Sequence, residues 1–244
     1  MCRAKVPDSG YMSGTSTLTA AVAPATSATR PLPLALRIGL AVAAPLAPLA
    51  QGTAYLVSPY GNADDPAVVL AAVGGAPAAV DLLGWLWLVI GLTLVPGVIA
   101  AGLAALPGSR RLATVALLVA VPGWAAGLTL PQTDLVAGAV AAAGVSDADG
   151  VRLLDQLLTF ATPAQGLAVA IFVVGHVAGT VLLGVALFRA RVIPRVLAAL
   201  LAVAQPLHFV AFVILQNTYL DVTAAWLTAV GFGAAGLSLV RRRR

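Results

Sequence analysis

Charge is what this 244-residue chain has least of: 9% of residues are charged and 60% are hydrophobic. A soluble domain carries about a quarter of its residues as Asp, Glu, Lys and Arg. There is no glutamate, one lysine (Lys5), one cysteine (Cys2) and two histidines (His176 and His208). A single cysteine excludes an intramolecular disulfide and a metal site built on a cysteine pair. Cys2 also lacks the preceding apolar region of a lipoprotein signal, and no cleavable signal peptide is evident. No lysine falls in an apolar run, which removes a retinal Schiff base. No serine sits in a Gly-x-Ser-x-Gly context, which argues against a serine-hydrolase elbow. His-Glu-x-x-His and phosphate-loop motifs are missing. No helix carries the regularly spaced arginines of a voltage sensor.

What is present is apolar sequence. Six long runs, at about 32–57, 79–106, 112–130, 164–188, 196–215 and 222–240, contain only Arg37 and Asp81 as charges near their ends. About 20 apolar residues span a ~30 Å hydrocarbon core as a helix. The segments between the runs alternate in sign. Arg3, Lys5, Arg30 and Arg37, then Arg110 and Arg111, then Arg189, Arg191 and Arg195, then Arg241 to Arg244 occupy the odd segments. Asp64, Asp65 and Asp81, then Asp134, Asp147, Asp149 and Asp155, then Asp221 occupy the even ones; only Asp8 and Arg152 break the rule. Basic loops stay on the cytoplasmic side. The expectation is an all-α, polytopic six-helix transmembrane bundle with both termini inside. The net charge of +5 lies in short loops and a terminal arginine run. That placement points to anionic lipid headgroups and not to nucleic acid. Heavy Ala, Gly, Pro and Arg usage suits a GC-rich bacterial genome, hence a bacterial plasma membrane.

Outside the runs, residues 1–31 are rich in Ser, Thr, Ala and Pro and read as a disordered cytoplasmic tail. Residues 241–244 read as a cytoplasmic arginine anchor. Asp65-Pro66 gives a helix cap and a first-turn proline, so a short helix is expected over 67–73, ended by Gly74-Gly75. Ser146 with Asp149 resembles a capping box. Val151, Leu154 and Leu158 share a face beyond it, which predicts an amphipathic outer helix over 147–161. Four runs carry an internal proline, which fits either a cavity or kinks that serve packing. Arg37 to Pro48, Arg111 to Pro122 and Arg195 to Pro206 share one spacing, a hint of repeated hairpins.

Few polar side chains lie within the runs. His176 is thirteen residues before Arg189, and His208 is thirteen after Arg195. At 1.5 Å per residue both fall about 20 Å from the inner boundary, at one depth on antiparallel neighbours. Gln205 lies one turn below His208. Ionisable groups at this depth are costly and are candidates for function. Haem b ligation, proton handling and ligand binding all fit the pair, as do two structural histidines bonded to carbonyls. No other cofactor is indicated. All four tryptophans fall in the outer half. Asp81 precedes Trp85 by one turn and Asp221 precedes Trp226 similarly, which suggests either the rim of an outward-facing pocket or simple helix caps. Gly123, Gly127, Gly175 and Gly179 have small-residue spacing for close helix contact.

The segment RARVIPRVLAALLAVAQPLHF (189–209) and the outer segment DDPAVVLAAVGGAP (64–77) resemble parts of the uncharacterised six-helix, DUF4386-like integral membrane proteins of actinobacteria. The resemblance implies a multi-pass membrane fold and transfers no site residues. Three functional expectations follow from the residues. One is a non-enzymatic membrane protein that binds or moves a small apolar or amphipathic molecule through an outward-facing cavity. A second is a membrane enzyme or redox protein using His176 and His208, or outer Asp81 or Asp221. A third is an assembly subunit, acting as a homo-oligomer or with a membrane partner.

Overall fold

The computed structural model describes residues 32–160 and 162–241. The expected tail and residues 242–244 of the arginine anchor lie outside the described residues, as does Ala161. Every element among the described residues is helical. The order is α1 (Leu34–Val57), α2 (Pro66–Gly74), α3 (Pro77–Ala105), α4 (Arg110–Gly127), α5 (Thr133–Ala142), α6 (Asp147–Thr159), α7 (Pro163–Ala190), α8 (Arg195–Phe209) and α9 (Thr218–Arg241). A π-helical turn, Val210–Ile214, continues α8.

Five helices are long and apolar enough to cross a membrane: α1, α3, α7, α8 with its π turn, and α9. The third apolar run, α4, is shorter at 18 residues, and Arg110 and Arg111 occupy its first turn. Its outward side chains are still apolar, with Val115 and Leu118 exposed.

Local sequence explains the helix ends. Asp65 caps α2 by accepting the Ala67 N–H at 2.8 Å, with Pro66 in the first position. Ser146 caps α6 by accepting the Asp149 N–H at 3.3 Å. Thr162 and Gln165 form a full capping box at the start of α7, which the sequence reading had not identified. The expected helix over 67–73 is present within α2, and the one expected over 147–161 is present as α6 but ends at Thr159. The segment between α4 and α7 also contains α5, which was not expected.

The long helices run antiparallel to their chain neighbours. Arg37 near the start of α1 donates to the carbonyls of Leu239 (2.6 Å) and Val240 (2.8 Å) near the end of α9. Gly97 of α3 faces Ala44 of α1, Gly184 of α7 faces Ala202 of α8, and Gly231 of α9 faces Leu201 of α8. Helix α3 also touches α4, α7 and α9, so with α1 it contacts four other long helices. The core is built from small residues: Ala44, Ala100, Ala101, Ala104, Ala116, Ala120 and Ala235 are fully buried. Large aliphatics such as Leu92, Leu118, Leu167, Val174 and Val196 point outward instead. A water-soluble bundle would invert this arrangement; in lipid, close backbone approach through small residues holds helices together. A second, smaller apolar cluster of Val69, Val73, Ala137 and Leu154 joins α2, α5 and α6.

Candidate functional site

At the end of the bundle away from Arg37, Arg110, Arg189 and Arg195, the helices part around a cavity of about 770 Å³. Helices α1, α3, α4, α7 and α8 supply its walls, and the 58–64 and 130–134 segments supply its rim. The walls are aromatic: Tyr55, Trp87, Trp124, Phe172, Phe209 and Phe212. The two membrane histidines line it as well.

His176 and His208 come together, with ring centroids 5.8 Å apart and planes at 68°. Phe172 stacks on His176 at 4.2 Å, and Trp124 meets the same ring edge-on at 5.2 Å. Tyr55 and Phe212 stack on His208 at 6.0 and 5.9 Å. Each histidine has its Nδ1 engaged. His176 Nδ1 bonds the Phe172 carbonyl at 2.6 Å, one turn back on α7. His208 Nδ1 bonds the Asp221 carboxylate of α9. Nε2 of His176 is buried without a partner. Among the described residues, no group of three or more His, Cys, Asp or Glu side chains is placed to hold a metal ion.

Above the histidines, Asp134 in the first turn of α5 accepts the Trp87 indole N–H at 3.1 Å through Oδ2. Its Oδ1 is buried with no partner. Tyr60 lies beside it in the loop after α1. Burial pushes the Tyr60 phenol well above the ordinary tyrosine range, and the Asp134 carboxylate adds to the shift. Gln51 Nε2 donates to the Tyr55 hydroxyl at 2.7 Å, and Trp124 Nε1 donates to Thr180 Oγ1 at 3.2 Å. These bonds hold the aromatic walls in place.

Proline and the π turn shape the α8 wall. Pro206 has no N–H to give its preceding turn. Beyond it, Leu215 N–H reaches the Val210 carbonyl and Asn217 N–H reaches the Ala211 carbonyl, both at 2.9 Å. The register shift of this π turn brings Phe212 and Val213 to the cavity. Gln216, at φ 46°, then turns the chain towards α9.

The candidate residues from the sequence divide into two groups. His176, His208 and Asp221 form one connected cluster. Gln205 is buried below it and donates to Thr228 Oγ1 at 3.0 Å, away from the cavity. Asp81 is exposed, and Trp85 is 69% exposed on the outer face of α3. Trp226 packs its indole over Gly52 on the α9–α1 seam, where a β-carbon would lie 2.5 Å from Nε1. The cavity instead uses Trp87, Trp124, Tyr55 and Asp134. Trp85 and Trp87 are two residues apart, about 200° around a helix. With α3 apolar on every side, the sequence offered no means of choosing between them. Asp134 sits in the long segment between Pro131 and Pro163, whose length was the available signal for a built structure there.

Comparisons with protein-family models, with curated proteins and with solved structures find no match for this chain.

Proposed function

We propose that this chain is a multi-pass protein of the bacterial plasma membrane that binds or moves a small amphipathic molecule through the aromatic cavity. Helix α4 serves as the sixth crossing, its exposed Val115 and Leu118 facing lipid. The arginine-rich end lies in the cytoplasm with both termini, and α2, α5 and α6 lie outside. Anionic lipids then meet the arginines. The observation that carries this reading is the 770 Å³ cavity itself, aromatic at its walls and polar at its floor. Ligand sites combine an apolar lining with a few convergent polar groups in this way, at about 300–1,000 Å³.

The test uses the neutral fluorescent probe N-phenyl-1-naphthylamine with the purified protein in detergent. Trp87 and Trp124 line the cavity, so bound probe accepts energy from them. Trp124→Phe and Trp87→Phe should each lower the transfer, while Trp85→Phe leaves it nearly unchanged. Saturable transfer that depends on Trp85 as much as on Trp124 would remove this reading.

A second reading, a membrane enzyme or redox protein, is favoured by one observation. Nδ1 of each histidine is tied to an oxygen acceptor, the arrangement that orients imidazoles for acid–base work or metal ligation. A Soret band in protein made with full haem supply, lost in His176→Ala, would establish it in its haem form.

A further inference from the structure

We infer that the ligand of this cavity is a lipophilic organic cation; this rests on the cavity reading above and adds the sign of the charge. The lining contains Asp64 and Asp134 and no lysine or arginine. The nearest thing to a positive group is the histidine pair. His208 already faces the Asp221 carboxylate, so that pair adds no net positive charge to the site.

Asp134 decides the matter. It is 7% exposed, and a carboxylate so buried needs its oxygens satisfied. Trp87 donates to Oδ2 and the Tyr60 phenol faces the carboxylate, but Oδ1 makes no hydrogen bond. Trp87 and Tyr60 adjoin this carboxylate, and the cavity it lines is walled further by Trp124, Tyr55 and Phe172. Aromatic faces attract cations by their quadrupoles, and desolvation strengthens the attraction. An anion would meet two carboxylates and no lysine or arginine. A neutral ligand without an O–H or N–H donor would leave Oδ1 buried and unanswered. A bare metal ion would find no ligand cluster. A bulky cation with apolar substituents answers the carboxylate and fills the rings together. The arginines at the other end, and the acidic residues at this one, favour its approach from the acidic side.

The experiment compares two molecules of one shape and opposite charge on the full-length protein in neutral detergent. Tetraphenylphosphonium and tetraphenylborate are equilibrated by dialysis against protein and against protein-free micelles. The cation should bind saturably above the micelle background and the anion should not. Asp134→Asn, nearly isosteric, should weaken the cation by about tenfold or more, and far more than it weakens the neutral naphthylamine probe. Equal binding of the two isosteres while the neutral probe still binds would overturn the charge assignment and leave the cavity reading standing. Loss of all three in the wild-type protein would overturn both. An onium group is also carried by zwitterionic lipids. Competition by tetrabutylammonium is expected for a free cation, and competition by dodecylphosphocholine alone would assign the site to a lipid headgroup instead.

Discussion

His208 and Asp221 meet across the antiparallel seam of α8 and α9, the imidazole Nδ1 on the carboxylate, with Asp221 fully buried. The chain bends sharply between them, through the π turn and the left-handed Gln216. The pair therefore joins the floor of the cavity to the helix that closes the ring against α1.

That contact makes removal of one partner costlier than removal of both. Asp221 Oδ2 already lacks a partner. Taking away the imidazole leaves the whole carboxylate buried and unanswered, at a cost of about 3–5 kcal/mol for such pairs. His208→Ala should lower the unfolding midpoint in detergent strongly. His208→Ala combined with Asp221→Leu should recover part of the loss. A double variant no more stable than the single one would show that the pair contributes nothing as a pair.

Close helix contact is the second feature open to test. Gly123 on α4 and Gly175 on α7 pack backbone to backbone, and a β-carbon on Gly123 would lie 2.6 Å from the His176 backbone nitrogen. Nothing flexible lies there to move aside. Gly123→Ala should cost about 1–3 kcal/mol or prevent folding, and should displace His176. Gly91 on the exposed face of α3 meets nothing within 4 Å. Gly91→Ala should be neutral or stabilise by up to about 1 kcal/mol, since glycine is a poor helix former. Thermal unfolding of the two variants side by side gives the comparison, and similar losses would contradict the packing described here.

Much of this was legible in the sequence, for a physical reason. Helix crossings are set by run length and by loop charge, which are one-dimensional properties. His176 and His208 fell at the same depth by simple counting along antiparallel helices, and their rings meet. The lateral arrangement was not legible. A helix that is apolar all round gives no moment, so sequence could not say that Trp87 faces in and Trp85 out. Asp221 read as the outer end of a helix beside Trp226. It became a partner of His208 because the π turn and Gln216 return the chain in few residues. The α5 helix was missed because its alanine-rich sequence has little pattern of its own, its burial coming from contact with α2, α3 and α6.

Tyr60 lies outside the membrane-crossing helices and links stability to pH. Its phenol ionises above the ordinary value of about 10 because it is buried and faces Asp134. Above pH 10 the unfolded chain therefore loses this proton while the folded chain keeps it. The folded state then binds more protons, so stability falls as pH rises from about 10. Below pH 10 both states hold the proton and the effect vanishes. Tyr60→Phe should flatten the fall in unfolding midpoint between about pH 10 and pH 12, and leave the profile at neutral pH parallel to wild type. Identical slopes in the alkaline range would mean that Tyr60 is not the group responsible.

Orientation can be read directly from two exposed positions. Ala148 is exposed at the start of α6, beside the acidic rim, and Pro107 is exposed in the turn between α3 and α4, beside Arg110. In a Cys2→Ser background, Ala148→Cys should react with a membrane-impermeant maleimide on intact cells. Pro107→Cys should react only after permeabilisation. Two extended acidic segments and one short arginine turn make this assignment, because arginine retention near helix ends, and not net charge, sets topology. The same experiment fixes the direction in which the cavity opens. Gln51, Tyr55 and Asp134 lie on the Ala148 side of the bundle, so labelling at Ala148 from outside places the aromatic cavity, and any cation it takes, in contact with the cell exterior. The reverse labelling pattern would turn the cavity towards the cytoplasm and overturn the outward-facing reading, while leaving the residues that line it unchanged.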